Sequence, residues 1–124
     1  MTMIHTGVGF AVPNLYDIAL KYFASWNGFL AHHSEWLMRI DSSDRLNAVK
    51  GSGKLGIILG LQNADHFRTV DDIDYFYSLG QRVSQLTYNA RNLIGSGSTE
   101  RNDDGLSDFG ISVVQRMNAL GMAV

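Results

Sequence analysis

The sequence predicts an α/β fold of parallel βαβαβ units, the layout of part of a TIM (β/α)₈ barrel. Residues 55–61 and 82–88 have the composition of strands, a helical pattern follows each of them, and residues 121–124 open a third strand. Alternation at this spacing is typical of parallel sheets with right-handed crossovers. Since a complete barrel takes about 250 residues, we expect residues 1–124 to be a single fragment of one.

An additional helical segment precedes these units. Residues 4–12 allow a short strand that glycines weaken. Residues 15–40 predict a helix with one apolar stripe and with Gly28 as a candidate break. The stripe consists of Leu15, Ile18, Ala19, Tyr22, Phe23 and Trp26. Residues 41–43 supply N-cap candidates for a second, short helix that Gly51 ends.

The two helices of the βα units carry start and stop signals. Residues 69–72 match a capping box, and that helix should run to Leu79 and end at Gly80. The second helix has a stripe of Leu106, Phe109, Val113, Met117 and Leu120. It should end at Gly121. The loop before it, residues 89–105, is long enough to indicate a functional role or a lid.

Composition excludes several classes of protein. The formal net charge is −2 and no Lys or Arg cluster occurs, so nothing favours binding to nucleic acid or to an anionic membrane surface. The chain has no Cys, which excludes disulfides and thiolate metal sites. It has no signal peptide and no apolar run of about 20 residues, the length of a membrane span. A soluble, cytoplasmic chain is the default expectation, and the compartment of a full-length protein stays open.

Polar side chains follow both predicted strands at their carboxyl ends, where parallel α/β folds place reactive groups. They are Gln62, Asn63 and Asp65 after the first strand, and Tyr88, Asn89 and Arg91 after the second. These residues are candidates for a site. The alternative, that they only cap strands and order loops, is equally open at this stage.

Other motifs favour structural roles. Residues 51–56 match GxGxxG but precede a strand, so a helix end and turn explain the glycines better than a dinucleotide site. His32 and His33 diverge on a helix and do not easily bind one metal. His5 lacks the acid of an HxD metal motif, and His66 is better explained by loop packing than by a place in the site.

Three segments carry a family resemblance: residues 60–67 (GLQNADHF), 79–89 (LGQRVSQLTYN) and 104–110 (DGLSDFG). They resemble the membrane (renal) dipeptidase family of zinc metallopeptidases, whose barrel is amidohydrolase-like, and the resemblance is specific over residues 49–124. It implies a zinc-dependent (β/α)₈ barrel that cleaves dipeptides.

The chain departs from the family pattern at the site. Gln62 stands at the position of a Glu that bridges two zinc ions, and a neutral amide oxygen is a poorer bridge. Tyr88 replaces a substrate-binding His, and Asn89 and Arg91 follow it as further substrate-binding candidates. The early His-x-Asp pair and the later Asp-x-x-His strand of the family are absent. We therefore expect no complete catalytic set, and no tightly bound zinc, in this chain.

Two hypotheses follow for the function. In the first, the chain is a fragment of a dipeptidase-family metallohydrolase that acts on dipeptide-like substrates when intact and is inactive alone. In the second, it is a non-catalytic barrel remnant, or a piece used for binding or assembly. In either case, the unpaired sheet edges of a partial barrel predict oligomers or aggregates.

Overall fold

The computed structural model describes residues 4–5, by their backbone, and residues 14–124. The elements, in chain order, are β1 (Ile4–His5), α1 (Leu15–His32), β2 (Leu37–Arg39), α2 (Ser43–Val49), β3 (Leu55–Ile57), β4 (Leu59–Gln62), α3 (Val70–Ser78), β5 (Gln81–Ser84) and α4 (Asp108–Leu120). The rest of the strand predicted at 4–12 lies outside the described residues. Within 4–5 and 14–124, no helix combines the length and the apolar composition needed to cross a membrane.

Strand β4 lies at the centre of a parallel sheet. It pairs with β1 on one side and with β5 on the other, and all three strands run in the same direction. Beyond β5, Ala123 forms a parallel bridge with Val83. The predicted parallel pairing of two strands joined by one helix is thus confirmed. Of the segment predicted to open a third strand, the structure shows this single bridge at Ala123.

The predicted strand at 55–61 is two strands with different partners. Its first part, β3, pairs with β2, whereas β4 joins the central sheet. The predicted strand at 82–88 begins one residue earlier and ends at Ser84. It ends early because β4 stops at Gln62, and Asn63 then turns away with a left-handed backbone (φ 79°). The Ala64 amide still donates to the Leu86 carbonyl at 3.3 Å, but the regular ladder ends at Ser84.

The predicted helix at 15–40 is also too long. Helix α1 ends at His32, and residues 37–39 form β2 instead. The amides of Trp36 and Leu37 both bond to the carbonyl of His33, which turns the chain. Residues 37–39 then pair with β3, a partner about 20 positions away that helical periodicity does not reveal.

The local start and stop signals are confirmed. The Ser42 hydroxyl accepts a hydrogen bond from the first turn of α2. Asp72, in the first turn of α3, accepts one from the amide of Thr69 at 3.2 Å. Gly51 and Gly121 end their helices with φ values of 78° and 71°, a conformation that glycine adopts without strain.

The two faces of the central sheet differ in how deeply their side chains are buried. An irregularity between Leu59 and Gly60 shifts the register of β5, so that Gln81 aligns with Leu59 and Ser84 with Leu61. These four side chains share a face and are at most 1% exposed. That face packs against the helices through Phe23, Ile73, Phe76, Val113 and Met117. On the opposite face, Gln62 and Val83 remain partly exposed.

We expect the 124-residue chain to self-associate. Trp36, Leu55, Leu93 and Val124 are between 60% and 70% exposed, and the open edges of a partial sheet can pair with other chains. Size-exclusion chromatography with light scattering, at several concentrations, should give masses above 13.7 kDa. A single monomeric peak that melts cooperatively at every concentration would contradict this expectation.

Candidate functional site

The carboxyl ends of the central strands meet at one edge of the sheet. Gln62 is the last residue of β4, and its backbone is in register with that of His5 at the end of β1. Because the strands are parallel, the chain leaves β5 at the same edge. Gln62 is partly buried there. The predicted placement of Gln62 at a strand end is therefore confirmed.

Tyr88 lies four residues beyond β5, in the segment that we call the site loop (residues 85–107), and not at the strand end. Its carbonyl accepts a hydrogen bond from the amide of Ser98 at 2.8 Å. The carbonyl of Asn89 accepts two from Thr99, one from the amide at 3.0 Å and one from the hydroxyl at 2.6 Å. The loop thus folds back on itself and leaves the Tyr88 side chain 38% exposed.

Arg91 is bonded inside the site loop. Its guanidinium donates to the carboxylate of Asp104 and to the hydroxyl of Ser96, and its amide donates to Glu100 at 2.9 Å. The hydrogen bond to Asp104 raises the pKa of Arg91, so the guanidinium keeps its charge across the physiological range. The structure therefore gives Arg91 a role in shaping the loop, and its side chain is about half exposed.

Asparagine side chains join the site loop to the end of β4. The side-chain nitrogen of Asn92 donates to the Asn63 side-chain oxygen at 2.9 Å and to the Leu86 carbonyl at 2.8 Å. Asn63 in turn donates to the Asp65 carboxylate at 2.6 Å. Asn63 and Asp65 thus lie at the edge that the sequence indicates, where they order the chain.

Helix α4 closes on the loop at Ile94. The Ser107 amide donates to the Ile94 carbonyl at 2.8 Å, and the Ser107 hydroxyl donates to the Leu93 carbonyl at 2.6 Å. The same hydroxyl accepts from the amide of Gly110, which makes Ser107 the N-cap of α4. Gly110 has no side chain, and this absence allows the backbone of α4 to approach Ile94 closely.

His66 has the packing role that the sequence favours. It is 3% exposed, its ring lies 4.0 Å from that of Phe67 and 4.6 Å from that of Phe76, and its Nε2 is 3.0 Å from the Gln81 Oε1. Burial lowers its pKa from 6.5 to about 4, against the opposing effects of Gln81 and Asp72. At neutral pH the ring is uncharged, and Nε2 carries the proton that Gln81 accepts.

The described residues do not by themselves fit a zinc site. Across 4–5 and 14–124, no three His, Cys, Asp or Glu side chains lie together in a way that holds a metal ion. At the carboxyl edge, Gln62 offers a neutral amide and the Asp65 carboxylate is bonded to Asn63. A catalytic zinc normally takes three protein ligands, among which His and carboxylates predominate.

Sequence reasoning missed two residues that shape the site. Asn92 stands in a polar loop, where nothing distinguishes it from its neighbours until the fold brings Asn63 within reach. Gly110 lies in the segment GLSDFG, which the sequence offered only as a family motif. Its close approach to Ile94 gives a physical reason for a glycine at that position.

Comparison with protein families gives a match over most of the chain. The model of the membrane dipeptidase family (peptidase family M19) matches residues 16–124. A curated relative is the uncharacterized dipeptidase C965.12 of Schizosaccharomyces pombe. It is 33% identical over 88 residues, which cover 67% of this chain and 21% of the relative.

Solved structures give the same fold. An amidohydrolase from Pseudomonas aeruginosa superimposes with a TM-score of 0.83 and 30% identity, over 97% of this chain and 35% of its own. The probable dipeptidase PvdM from Pseudomonas aeruginosa superimposes with a TM-score of 0.76 and 21% identity, over 90% of this chain and 31% of its own. The chain thus spans about a fifth to a third of the length of the relatives that it matches.

Proposed function

Because the chain belongs to the membrane dipeptidase family, peptidase family M19, we propose that it is part of a metal-dependent hydrolase of dipeptides. In this proposal its central sheet is part of a (β/α)₈ barrel, with β1, β4 and β5 as neighbouring barrel strands. The face that carries Gln62 and Val83 is then turned towards the barrel interior. This agrees with its lower burial compared with the helix-covered face.

The observation that carries the proposal is the arrangement at the carboxyl edge. Gln62 ends the central strand, His5 ends its neighbour in register, and the site loop leaves the third strand at the same edge. Barrel enzymes build their active sites at this edge of the sheet. The exposed Tyr88 and Asn89 offer a phenol and an amide to a peptide substrate, and the partly buried Gln62 lies at the end of the central strand.

The zinc that the family implies would supply an activated water and charge stabilisation. The described residues do not provide its ligand set. What the chain contributes is positioning, because the site loop leaves β5 at the carboxyl edge and is ordered by its own hydrogen bonds.

We expect the 124-residue chain to show no zinc-dependent dipeptide hydrolysis, whereas a full-length protein that contains it should hydrolyse dipeptides. The experiment measures amino acid release from simple dipeptides with zinc and with a chelator, on both lengths. In the full-length protein, Gln62→Ala should lower kcat/KM about tenfold or more, as expected when an active-site hydrogen-bonding group is lost. Gln115→Ala, at an exposed position of α4, is the matched control.

Two results would contradict the proposal. One is a full-length protein that leaves dipeptides intact when zinc is present. The other is a Gln62→Ala variant that is as active as the control. Zinc-dependent hydrolysis by the 124-residue chain itself would instead show that its ligand set is more complete than the described residues indicate.

A binding or assembly role is the second candidate function. The neutral Gln62 at the centre of the edge, together with the missing metal-binding group within 4–5 and 14–124, favours it. The same assay separates the two candidates, because a non-catalytic protein of full length remains inactive with any divalent metal.

A further inference from the structure

Asn92 uses the full hydrogen-bonding capacity of its side chain. Its nitrogen donates to the Asn63 side-chain oxygen and to the Leu86 carbonyl. Its oxygen accepts from the amides of Ile94, at 2.8 Å, and Gly95, at 3.2 Å. A carboxamide offers two N–H donors and an acceptor oxygen with two lone pairs, so this partly buried side chain is fully satisfied.

The four partners lie on parts of the chain that the loop must hold together. Asn63 follows β4, Leu86 follows β5, and Ile94 is the residue on which α4 packs. Other side-chain hydrogen bonds of the loop, such as those of Arg91 and Asn89, end within the loop itself. Among the side-chain bonds described, that of Asn92 connects the loop to the turn after β4.

The turn after β4 has a side-chain hydrogen bond of its own. Asn63 has a left-handed backbone (φ 79°), and its side-chain amide donates to the Asp65 carboxylate at 2.6 Å. The side-chain oxygen that faces Asn92 is thereby fixed in direction. A residue that joins this turn to a long loop restricts where the side chains of that loop lie.

We propose that Asn92 is a positioning residue that holds the Tyr88–Asn89 segment of the site loop over the carboxyl edge of the sheet. Its meaning for catalysis rests on the proposed function, but its effect on the loop does not. No residue of similar size other than Asn provides both pairs of bonds, because an aspartate cannot donate and a leucine can do neither.

The test replaces Asn92 with Asp, which has the same shape but loses both donors and sets a carboxylate against two oxygens. Hydrogen exchange followed by mass spectrometry should show the amides of Ser98 and Thr99 exchanging about tenfold faster or more. Those amides bond to the Tyr88 and Asn89 carbonyls and do not contact Asn92. Amides in α3 and in the second half of α4 should exchange as in the unmodified chain.

The matched control is Asn102→Asp, the same change at an exposed position of the same loop. It should leave the exchange of Ser98 and Thr99 unaltered. Unchanged exchange of these amides in Asn92→Asp would overturn the proposal, and so would equal acceleration across α3 and α4, since Asn92 would then only add to global stability.

If Asn92→Asp does not fold, a second variant tests the positioning role of Asn92. Asn63→Gly keeps the left-handed backbone without strain and removes the oxygen that Asn92 contacts. It should loosen the same loop amides, and its failure to do so would also overturn the proposal.

In a full-length protein that hydrolyses dipeptides, Asn92→Asp should raise KM about fivefold or more with a smaller change in kcat, because the loop carries the substrate-binding side chains. A loss of kcat at constant KM would contradict the positioning role. If the unmodified protein cleaves no dipeptide, the proposed function fails, and the exchange result still decides the role of Asn92.

Discussion

Replacing Gly110 with Ala should destabilise the chain by about 3 kcal/mol or more, towards the upper end of what overpacking costs. A Cβ atom at this position would lie 2.0 Å from the Ile94 carbonyl oxygen and 2.9 Å from its carbon. Both are backbone atoms, so no side-chain rotation relieves the clash. Either α4 or the site loop has to move.

Either movement lowers the free energy of unfolding, because Ile94 is 1% exposed and its carbonyl accepts the hydrogen bond from the Ser107 amide. Shifting α4 breaks that bond and its N-cap, and caps contribute about 1 kcal/mol. Urea denaturation followed by circular dichroism measures the loss. The site loop should loosen as well, since Asn92 holds the other side of the same Ile94 segment.

Gly28→Ala is the matched control for Gly110→Ala. Gly28 lies inside α1, and a Cβ atom placed there would have no atom within 4 Å among the described residues, apart from its chain neighbours and the nearby backbone of its own helix. Alanine at such a position should stabilise by about 0.5–1 kcal/mol, because it restricts the unfolded chain and favours the helix. The same chemical change should therefore have opposite signs at the two positions. Destabilisation of equal size would show that the approach of α4 to Ile94 is not the cause.

The sequence predicts the elements whose signals are local. Capping residues such as Ser42 and Asp72, and helix-ending glycines such as Gly121, act within a few positions of where they stand. The sequence does not predict elements whose secondary structure depends on residues far away along the chain. Strand β2 was hidden in a helical pattern, because its pairing with β3 outweighs local preference.

The candidate site divides in the same way. The position of Gln62 at the carboxyl edge is predictable, because parallel strands end at the same edge of a sheet. This prediction does not require knowledge of side-chain contacts. The internal bonding of Arg91 with Asp104, and the tether from Asn92 to Asn63, depend on how a loop of more than 20 residues folds. No pattern in the sequence encodes that path, so the prediction names residues there without their roles.

The second large effect that we expect is a loss of stability in mild acid, caused by His66. Burial is the main reason that its pKa falls from 6.5 to about 4 in the folded chain. Between these values the unfolded chain binds a proton that the folded chain does not. The free energy of unfolding therefore decreases as the pH falls through this window. Below the window the contribution of His66 no longer changes with pH, because both states then bind the proton. The total is about 3 kcal/mol, since each tenfold difference in proton affinity corresponds to about 1.4 kcal/mol.

The groups around His66 support this direction. Phe67 and Phe76 surround the ring with apolar surface, and Gln81 accepts a hydrogen bond without bringing a charge. Asp72 favours the protonated form, but its influence is smaller than that of burial. Burial would raise the pKa of Asp72 itself, yet hydrogen bonds from Arg68 and Thr69 lower it, so that carboxylate keeps its charge through the same window.

His66→Gln isolates the effect, because a glutamine amide can still donate to Gln81 and does not titrate. Urea denaturation at intervals from pH 7 to pH 4 should give a steep loss of stability in the unmodified chain and a shallower one in this variant. His32→Gln, at an exposed position of α1, is the matched control and should keep the steep loss. Parallel curves for all three proteins would mean that other groups cause the acid sensitivity. In that case the folded chain binds the proton at His66 as readily as the unfolded chain does, because the ring reaches water without unfolding of the core.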